Sequence, residues 1–461
     1  MPAILFSNAA LLDPVADELL EDHHVLVEDG LVKEVSDRPL ASRSARRIDL
    51  AGRTLMPGLI DLHVHVLATQ VDLAAQVALP DALVTMRAVP IMAAMLRRGF
   101  TTVRDAGGAG WGLKHAVAEG TIAGPRLFVS GHALSQTGGH GDTRARADFL
   151  RPVGGCGCFR AGALSRVVDG VDGVRRAVRE ELQMGADQIK IMASGGIASP
   201  TDPIAAWGYA DDEIRAIVHE ANARQTYVMA HAYTAEAIER VVRLGVRTIE
   251  HGNLVDDRVA AMMAAQGAYM VPTLVTYEAL AAEGAAFGLP AESAAKIASV
   301  RSAGLRALET CRRAGVRIGF GTDLLGASQR LQCDEFRIRA EVQPPLEVIR
   351  SATAVAAEVL NMEGSLGRLV PGAQADALVL AGNPLRDLSC LWDGERGGPA
   401  LVMKAGTIHH EQLAWSSLPG RDLADAGLLV LRHPGVERPQ LRQFRHHREG
   451  ETLAVGPVVD Q

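Results

Sequence analysis

Eight short apolar runs, separated by helical stretches, limit what this chain can fold into more than any other feature. They read LIDLHVH, FTTVRD, PRLFVSG, DQIKIMAS, TYVMAHA, VRTIEHG, AYMVPTL and VRIGFGTD. Short runs rich in β-branched residues suit buried strands. Between most of them lie amphipathic segments such as DDEIRAIVHEANAR and TAEAIERVVRLG. Strands alternating with helices imply parallel pairing, and eight such units predict an α/β fold, the (β/α)8 TIM barrel, over residues 57–367. PLEVIRSATAVAAEVL is expected to be its closing helix. A chain of 461 residues with 48% hydrophobic content supplies ample core for it.

The two ends have a different texture. HHVLVEDGLVKEV, within the first 56 residues, predicts a hairpin: two β-rich runs around a polar EDG turn. Similar material returns in LVPGAQADALVL (369–380) and LVMKAGTIHH (401–410). Residues 1–56 and 368–415 are therefore expected to pair as a small β-sandwich domain built from both chain ends. Residues 416–461, polar and rich in Arg and His, are assigned to a C-terminal extension. Residues 131–172 form a long Gly-rich excursion after the third strand, and such loops are usually functional or disordered.

In a barrel the chemistry sits where the strands end. The first run ends with His63 and His65, the fifth with His231, the sixth with His251 and the eighth with Asp323. Residues two apart on a strand face the same side, so His63 and His65 can hold one ion together. Imidazole and carboxylate suit zinc and related divalent metals. One buried histidine is ordinarily a hydrogen-bonded core residue, but four histidines and an aspartate at strand ends make a site as a set. An aspartate in a dry strand would be costly without a partner, and metal contact removes that objection. Lys190, in the fourth run, carries only donors and cannot bind a cation as it stands. Either it makes a structural ion pair, or it has reacted with carbon dioxide to give a carbamate whose two oxygens bridge two metals.

Taken together, PGLIDLHVH, GFTTVRDAGG, QIKIMASGG, MAHAYT, IEHGN and GFGTDLLG resemble the amidohydrolase superfamily of metal-dependent hydrolases over about residues 20–410. LSQTGGHGDTR (134–144) and ASGGIASPTDP (193–203) are similar to one branch in particular. That branch holds Xaa-Pro dipeptidases, ochratoxin-type amidases and hydrolases of phenylureas and thiocarbamates, and is related to imidazolonepropionase. The resemblance implies that His63, His65 and Asp323 hold the more buried metal and that His231 and His251 hold the second. Carboxylated Lys190 and a hydroxide would bridge them. The implied cofactor is Zn2+, one or two per chain, with Co2+ or Mn2+ as alternatives. The implied reaction is attack of the hydroxide on a polarised carbonyl, with Asp323 taking its proton and passing it to the leaving nitrogen. His140, in TGGHGD, and Tyr233, two residues after His231, are implied to contact substrate, polarising its carbonyl or holding a carboxylate. Asp202, in SPTDP, is explained equally well as a turn-forming residue. Arg144, Arg146, Arg151 and Arg160 are available in the long loop for a carboxylate.

The function expected is hydrolysis of a C–N amide-type bond in a small molecule such as a dipeptide or N-acyl amino acid. The alternative keeps the site, with one or two metals, and changes the target to a neutral urea, carbamate or thiocarbamate. A remote third is a non-catalytic barrel that works in assembly, although such proteins usually lose ligands and this chain keeps all six. Nucleic acid is not an expected partner: the formal net charge is −7, basic residues are scattered and aromatics are 4%. No run approaches the roughly 18 apolar residues of a membrane helix, and the start lacks the pattern of a signal peptide. Five cysteines, with Cys156 and Cys158 too close for a CxxC pair, suggest reduced thiols in a cytoplasmic protein. The resemblance further implies a homo-oligomer. His23, His24, His409 and His410 are expected at the surface of the small domain, and His446 and His447 in a solvated tail. GGAGWG (107–112) lacks the Lys-Ser/Thr of a phosphate loop and is expected to be a βα turn.

Overall fold

Each of the eight runs supplies one strand of a parallel barrel. They are β1 (Leu59–Val64), β2 (Phe100–Asp105), β3 (Arg126–Val129), β4 (Ile189–Met192), β5 (Val228–Thr234), β6 (Thr248–Leu254), β7 (Tyr269–Val271) and β8 (Arg317–Ile318). The computed structural model describes residues 3–15, 19–144, 162–197, 199, 202–287, 289, 291–392 and 398–413. Arg146, Arg151, Arg160, Cys156, Cys158, His446, His447 and the extension at 416–461 therefore lie outside the described residues.

β1, β2 and β3 pair in order, as do β4 to β8. β3 joins the two arcs by continuing past Gly131, where φ is +64°, into Ala133–Ser135, which pairs with β4 through Leu134 and Ile191. The positive φ favours glycine there, and a Cβ would come 2.1 Å from a Glu181 carboxylate oxygen, which would have to move. The closing seam joins β1 to the segment after β8. There Leu62 N donates to Phe320 O at 2.7 Å and Asp323 N to His63 O at 2.8 Å. The hydrogen bonds that shut the barrel thus run through two of the candidate ligands.

Outer helices cover the barrel with the expected stripes. Helix Asp211–Ala223 buries Ile214, Ile217, Val218 and Ala221, a spacing of three and four residues. It opens on Asp211, Asp212 and Glu213, where the exposed N–H groups favour negative charge. β5 runs directly into helix Ala235–Arg243 because Thr234, its last residue, accepts from Ala237 N and caps the helix. One expectation is corrected: the closing helix is two helices, Pro345–Ser351 and Ala354–Val359. The break at Ala352–Thr353 leaves carbonyls to serve the barrel floor, where Ser351 O accepts from Phe320 N and Ala352 O from Ile60 N.

Both chain ends enter one eight-stranded sheet. Its order is Thr407–Glu411, Leu401–Lys404, Ala377–Leu380, Thr54–Pro57, Ile4–Leu12, Leu19–Glu28 and Leu31–Ser36, with Arg46–Asp49 also on Ile4–Leu12. The expected hairpin forms, and its turn residues Asp29 and Gly30 both have positive φ, the conformation that matches the strands' twist. His409 is exposed, but His24 is buried, contrary to expectation: its strand packs within the sheet, against Ile4–Leu12 on one side and Leu31–Ser36 on the other. Residues 1–413 form one compact unit. Among the described residues, no helix is long and apolar enough to cross a membrane.

Candidate metal centre

Two irregularities in the strands bring adjacent residues into the same interior. The β1–β2 ladder slips between Asp61 and Val64, where Asp61 Oδ1 accepts from His63 N at 3.1 Å. Leu62 therefore packs with Ile60, Tyr269 and Val271, while its neighbour His63 still reaches Lys190. On β6, Glu250 and His251 are neighbours and both meet the ring of His63. Simple alternation would send one of them outward. His251 has φ +72°, which turns its side chain back into the barrel, and Asp323 has φ +51°. Left-handed backbone at a residue other than glycine costs of order 1–3 kcal/mol and persists only where its surroundings hold it, commonly at functional sites.

Donor atoms of His63, His251 and Asp323 lie within 4.8 Å of one another. Asp323 Oδ1 is 3.3 Å from His65 Nε2 and 3.6 Å from His63 Nε2, and Lys190 Nζ is 3.5 Å from the same His63 nitrogen. The His231 ring centre lies 4.7 Å from that of His251. Burial, then the nearby Lys190 charge, holds His63 well below its ordinary pKa; burial foremost does the same for His231 and His251. These three rings are neutral and keep a lone pair. Burial opposes protonation of His65 too, but the Asp323 carboxylate outweighs it and raises that pKa. Burial would raise Asp323, but His63 and His65 hold it below the usual carboxylate range. Neutral imidazoles around an ionised carboxylate are the donor set a divalent cation requires. Burial lowers the Lys190 ammonium to about 8, so neutral amine is accessible near physiological pH.

Behind the donors stands a buried polar layer that the motif reading did not single out. His63 Nδ1 faces Glu250 Oε2 at 2.7 Å. Glu250 in turn accepts from Arg104 at 2.9 and 3.1 Å and from Thr248 at 2.5 Å. His65 Nδ1 donates to Gly107 O at 2.9 Å, and the turn carrying that carbonyl is fixed by Asp105, which accepts from the N–H groups of Gly107 and Ala109. His251 Nδ1 pairs with Thr273 Oγ1 at 2.8 Å. Such partners set ring tautomer and orientation. A signal for them existed: Arg104, Asp105 and Glu250 are charges inside otherwise apolar strands, and each required a partner.

A cavity lies above this layer. His63, His65, Lys190, His231, His251, Asp323, His140 and Tyr233 all line it. His140 stacks on His231 at 4.4 Å, and its Nδ1 lies 3.5 Å from Asp202 Oδ2. Tyr233 stacks on His251 at 5.4 Å, and its hydroxyl meets that of Tyr277 at 3.0 Å. Burial pushes both phenols above their ordinary range, so they remain neutral donors. Leu73, Val77, Leu164, Ile197, Leu280 and Leu325 give the remaining wall an apolar character. Arg144 does not line the cavity; its guanidinium grips Asp142 at 2.7 Å.

Residues 54–408 match the amidohydrolase family. An ochratoxinase of Aspergillus niger is 33% identical over 393 residues, covering 82% of each chain. A crystal structure of an amidohydrolase is similar at 64% identity and TM-score 0.87, covering 89% of this chain and all of that one. A prolidase complexed with N-methylphosphonate-L-proline is similar at 56% identity and TM-score 0.86, with the same coverage.

Proposed function

We propose, from the premise that the chain belongs to the amidohydrolase family, that it cleaves the amide bond between an acyl group and the nitrogen of a carboxylate-bearing amino acid, with C-terminal proline the first substrate to try. It is a hydrolase acting on C–N bonds. The observation that carries the substrate reading is the shared cavity. The metal-type donors line it together with His140, which stacks on His231, and Tyr233, which stacks on His251, and apolar side chains make up much of the remaining lining. The ligand named in the prolidase structure, a phosphonate joined to proline, supports it.

His63, His65, His231, His251 and Asp323 would hold one or two Zn2+, with Lys190, carboxylated, contributing to the set. When bound, the metal supplies the Lewis acidity that activates water and polarises a carbonyl. Asp323, ionised at neutral pH, takes a proton from the attacking water at its carboxylate and returns it to the leaving nitrogen. His140 and Tyr233 donate to the substrate's carbonyl or carboxylate. Glu250 and Arg104 hold the His63 ring still while this happens.

We also take the end-strand sheet as the small β-sandwich, residues 1–56 with 368–415. Support comes from Ile4–Leu12, which pairs first with Arg46–Asp49 and then with Thr54–Pro57, so that the sheet forks over one shared core.

The test is mass-spectrometric product detection with zinc-loaded protein and a pool of dipeptides, N-acyl amino acids, aryl ureas and thiocarbamates. Consumption of carboxylate-bearing amides alone is expected. Consumption of neutral ureas or thiocarbamates alone would replace this reading with the alternative one on the same donors.

A further inference from the structure

Lys296 sits in the second turn of helix Ala291–Ala314, on the chain between β7 and β8, and does not line the cavity. Its ammonium nevertheless donates to three backbone carbonyls of the segment after β4: Gly196 at 2.9 Å, Ser199 at 2.7 Å and Asp202 at 2.6 Å. A lysine has three donors, and all three go to one segment. The Asp202 carboxylate lies 4.0 Å from the same nitrogen.

What that segment carries gives the lysine its meaning. Gly195 O accepts from His231 Nε2 at 3.1 Å, which leaves the other ring nitrogen of His231 available to a metal. Gly196 N donates to Asp202 Oδ2 at 3.1 Å, and this oxygen faces His140 Nδ1. The ring of His140 lies against bare backbone, since a Cβ on Gly196 would come within 2.2 Å of it. His140 itself arrives on a different loop, after β3. Its ring rests on Gly196 and faces Asp202, and Lys296 grips the carbonyls of both.

We propose that Lys296 is a positioning residue for substrate recognition: it fixes the segment after β4 so that Asp202 and Gly196 hold His140 where it meets the substrate's carboxylate. The proposal rests on the function argued above in naming the carboxylate, but the placement of His140 is testable without it.

The test compares Lys296→Met, Lys296→Arg and Asp202→Asn in the full zinc-loaded chain. Substrates are an N-acyl amino acid and the same compound with its carboxylate capped as an amide. In Lys296→Met, KM for the free acid should rise about tenfold, the size of one charge-assisted hydrogen bond, with kcat changing far less. KM for the capped compound should move little, so that discrimination between the two collapses. Lys296→Arg should recover part of the loss, because its planar fork cannot meet three carbonyls from one point. The double variant with Asp202→Asn should be no worse than the worse single one, as expected for residues on one path. In parallel, NMR of 13C-labelled histidine side chains, with His140→Asn as the assignment, should show the His140 signal displaced in Lys296→Met. An undisplaced His140 signal overturns the proposal whatever the substrate. Equal losses for acid and capped compound, or loss of zinc without a change in discrimination, also overturn it. A displaced signal in a protein that hydrolyses no carboxylate-bearing amide would retain the positioning and reject the functional reading.

Discussion

The two sets of side chains in the cavity, a metal side and a substrate side, are built to different tolerances. On the metal side four donors have a second anchor. His63 is backed by Glu250 and Arg104, His65 by the Gly107 carbonyl, His251 by Thr273, and Asp323 by the seam that closes the barrel. On the substrate side, His140 faces its acid at 3.5 Å and Tyr233 rests its hydroxyl on one other tyrosine. Strands β1 and β6 and the segments that directly follow β1 and β8 carry the first set, and a glycine-rich loop carries half of the second. The contrast teaches where a barrel of this kind keeps its chemistry constant and where it adjusts what it accepts, since side chains on loops can be re-aimed without disturbing the sheet.

The largest effect is expected from the metal side's own reactive group. Asp323→Asn should lower turnover by about a thousandfold, within the range for loss of a general acid–base group, while the melting temperature stays close to that of the parent chain. Turnover within a few-fold of the parent would mean that the proton moves through another group. Next, Glu250→Gln tests whether the second anchors matter. It leaves the buried Arg104 guanidinium without its anion, which should cost about 3 kcal/mol of stability, and it should weaken zinc binding about tenfold or more. Denaturant unfolding and metal titration read the two numbers. If neither moves, the tight side is no tighter than the other, and the comparison fails.

Lys190→Ala should follow in size. With Lys190 acting as the proposed carbamate, metal content should fall, and short carboxylic acids added to the buffer should restore part of the activity by occupying the vacated space. A fully metal-loaded and active Lys190→Ala protein would show that a carbamate is unnecessary.

The same contrast explains what could be read from the chain alone. The eight strands were legible because each is a compact apolar run between amphipathic segments, and the candidate ligands were legible because a polar ring at the end of such a run has few other reasons to be there. Glu250 was hidden by its neighbour: period-two alternation allows only one of Glu250 and His251 to face inward, and the positive φ at His251 that admits both leaves no mark in composition. The split closing helix was hidden because Ala352–Thr353 is an ordinary helical sequence, broken by the barrel's need for carbonyls at its floor. Lys296 was hidden for a similar reason, since a lysine in an amphipathic helix reads as a solvated one, and only tertiary structure brings three carbonyls to it.

Tyr277 was less visible still, on a helix whose buried residues, Leu274, Val275, Thr276, Tyr277, Ala279 and Leu280, run around much of its girth and mark no single face. It supplies the smallest and sharpest test of the contrast. Tyr277→Phe keeps the ring and removes the hydroxyl that meets Tyr233. A lost neutral hydrogen bond is worth about 1 kcal/mol, so kcat/KM should fall about fivefold, through KM, with zinc content unchanged. That outcome fits a substrate side in which Tyr233 retains some freedom and finds the substrate itself as a partner. A loss as large as that of Asp323→Asn would place Tyr277 in a network as strict as that of Glu250 and Arg104, and the two sides of the cavity would then be one.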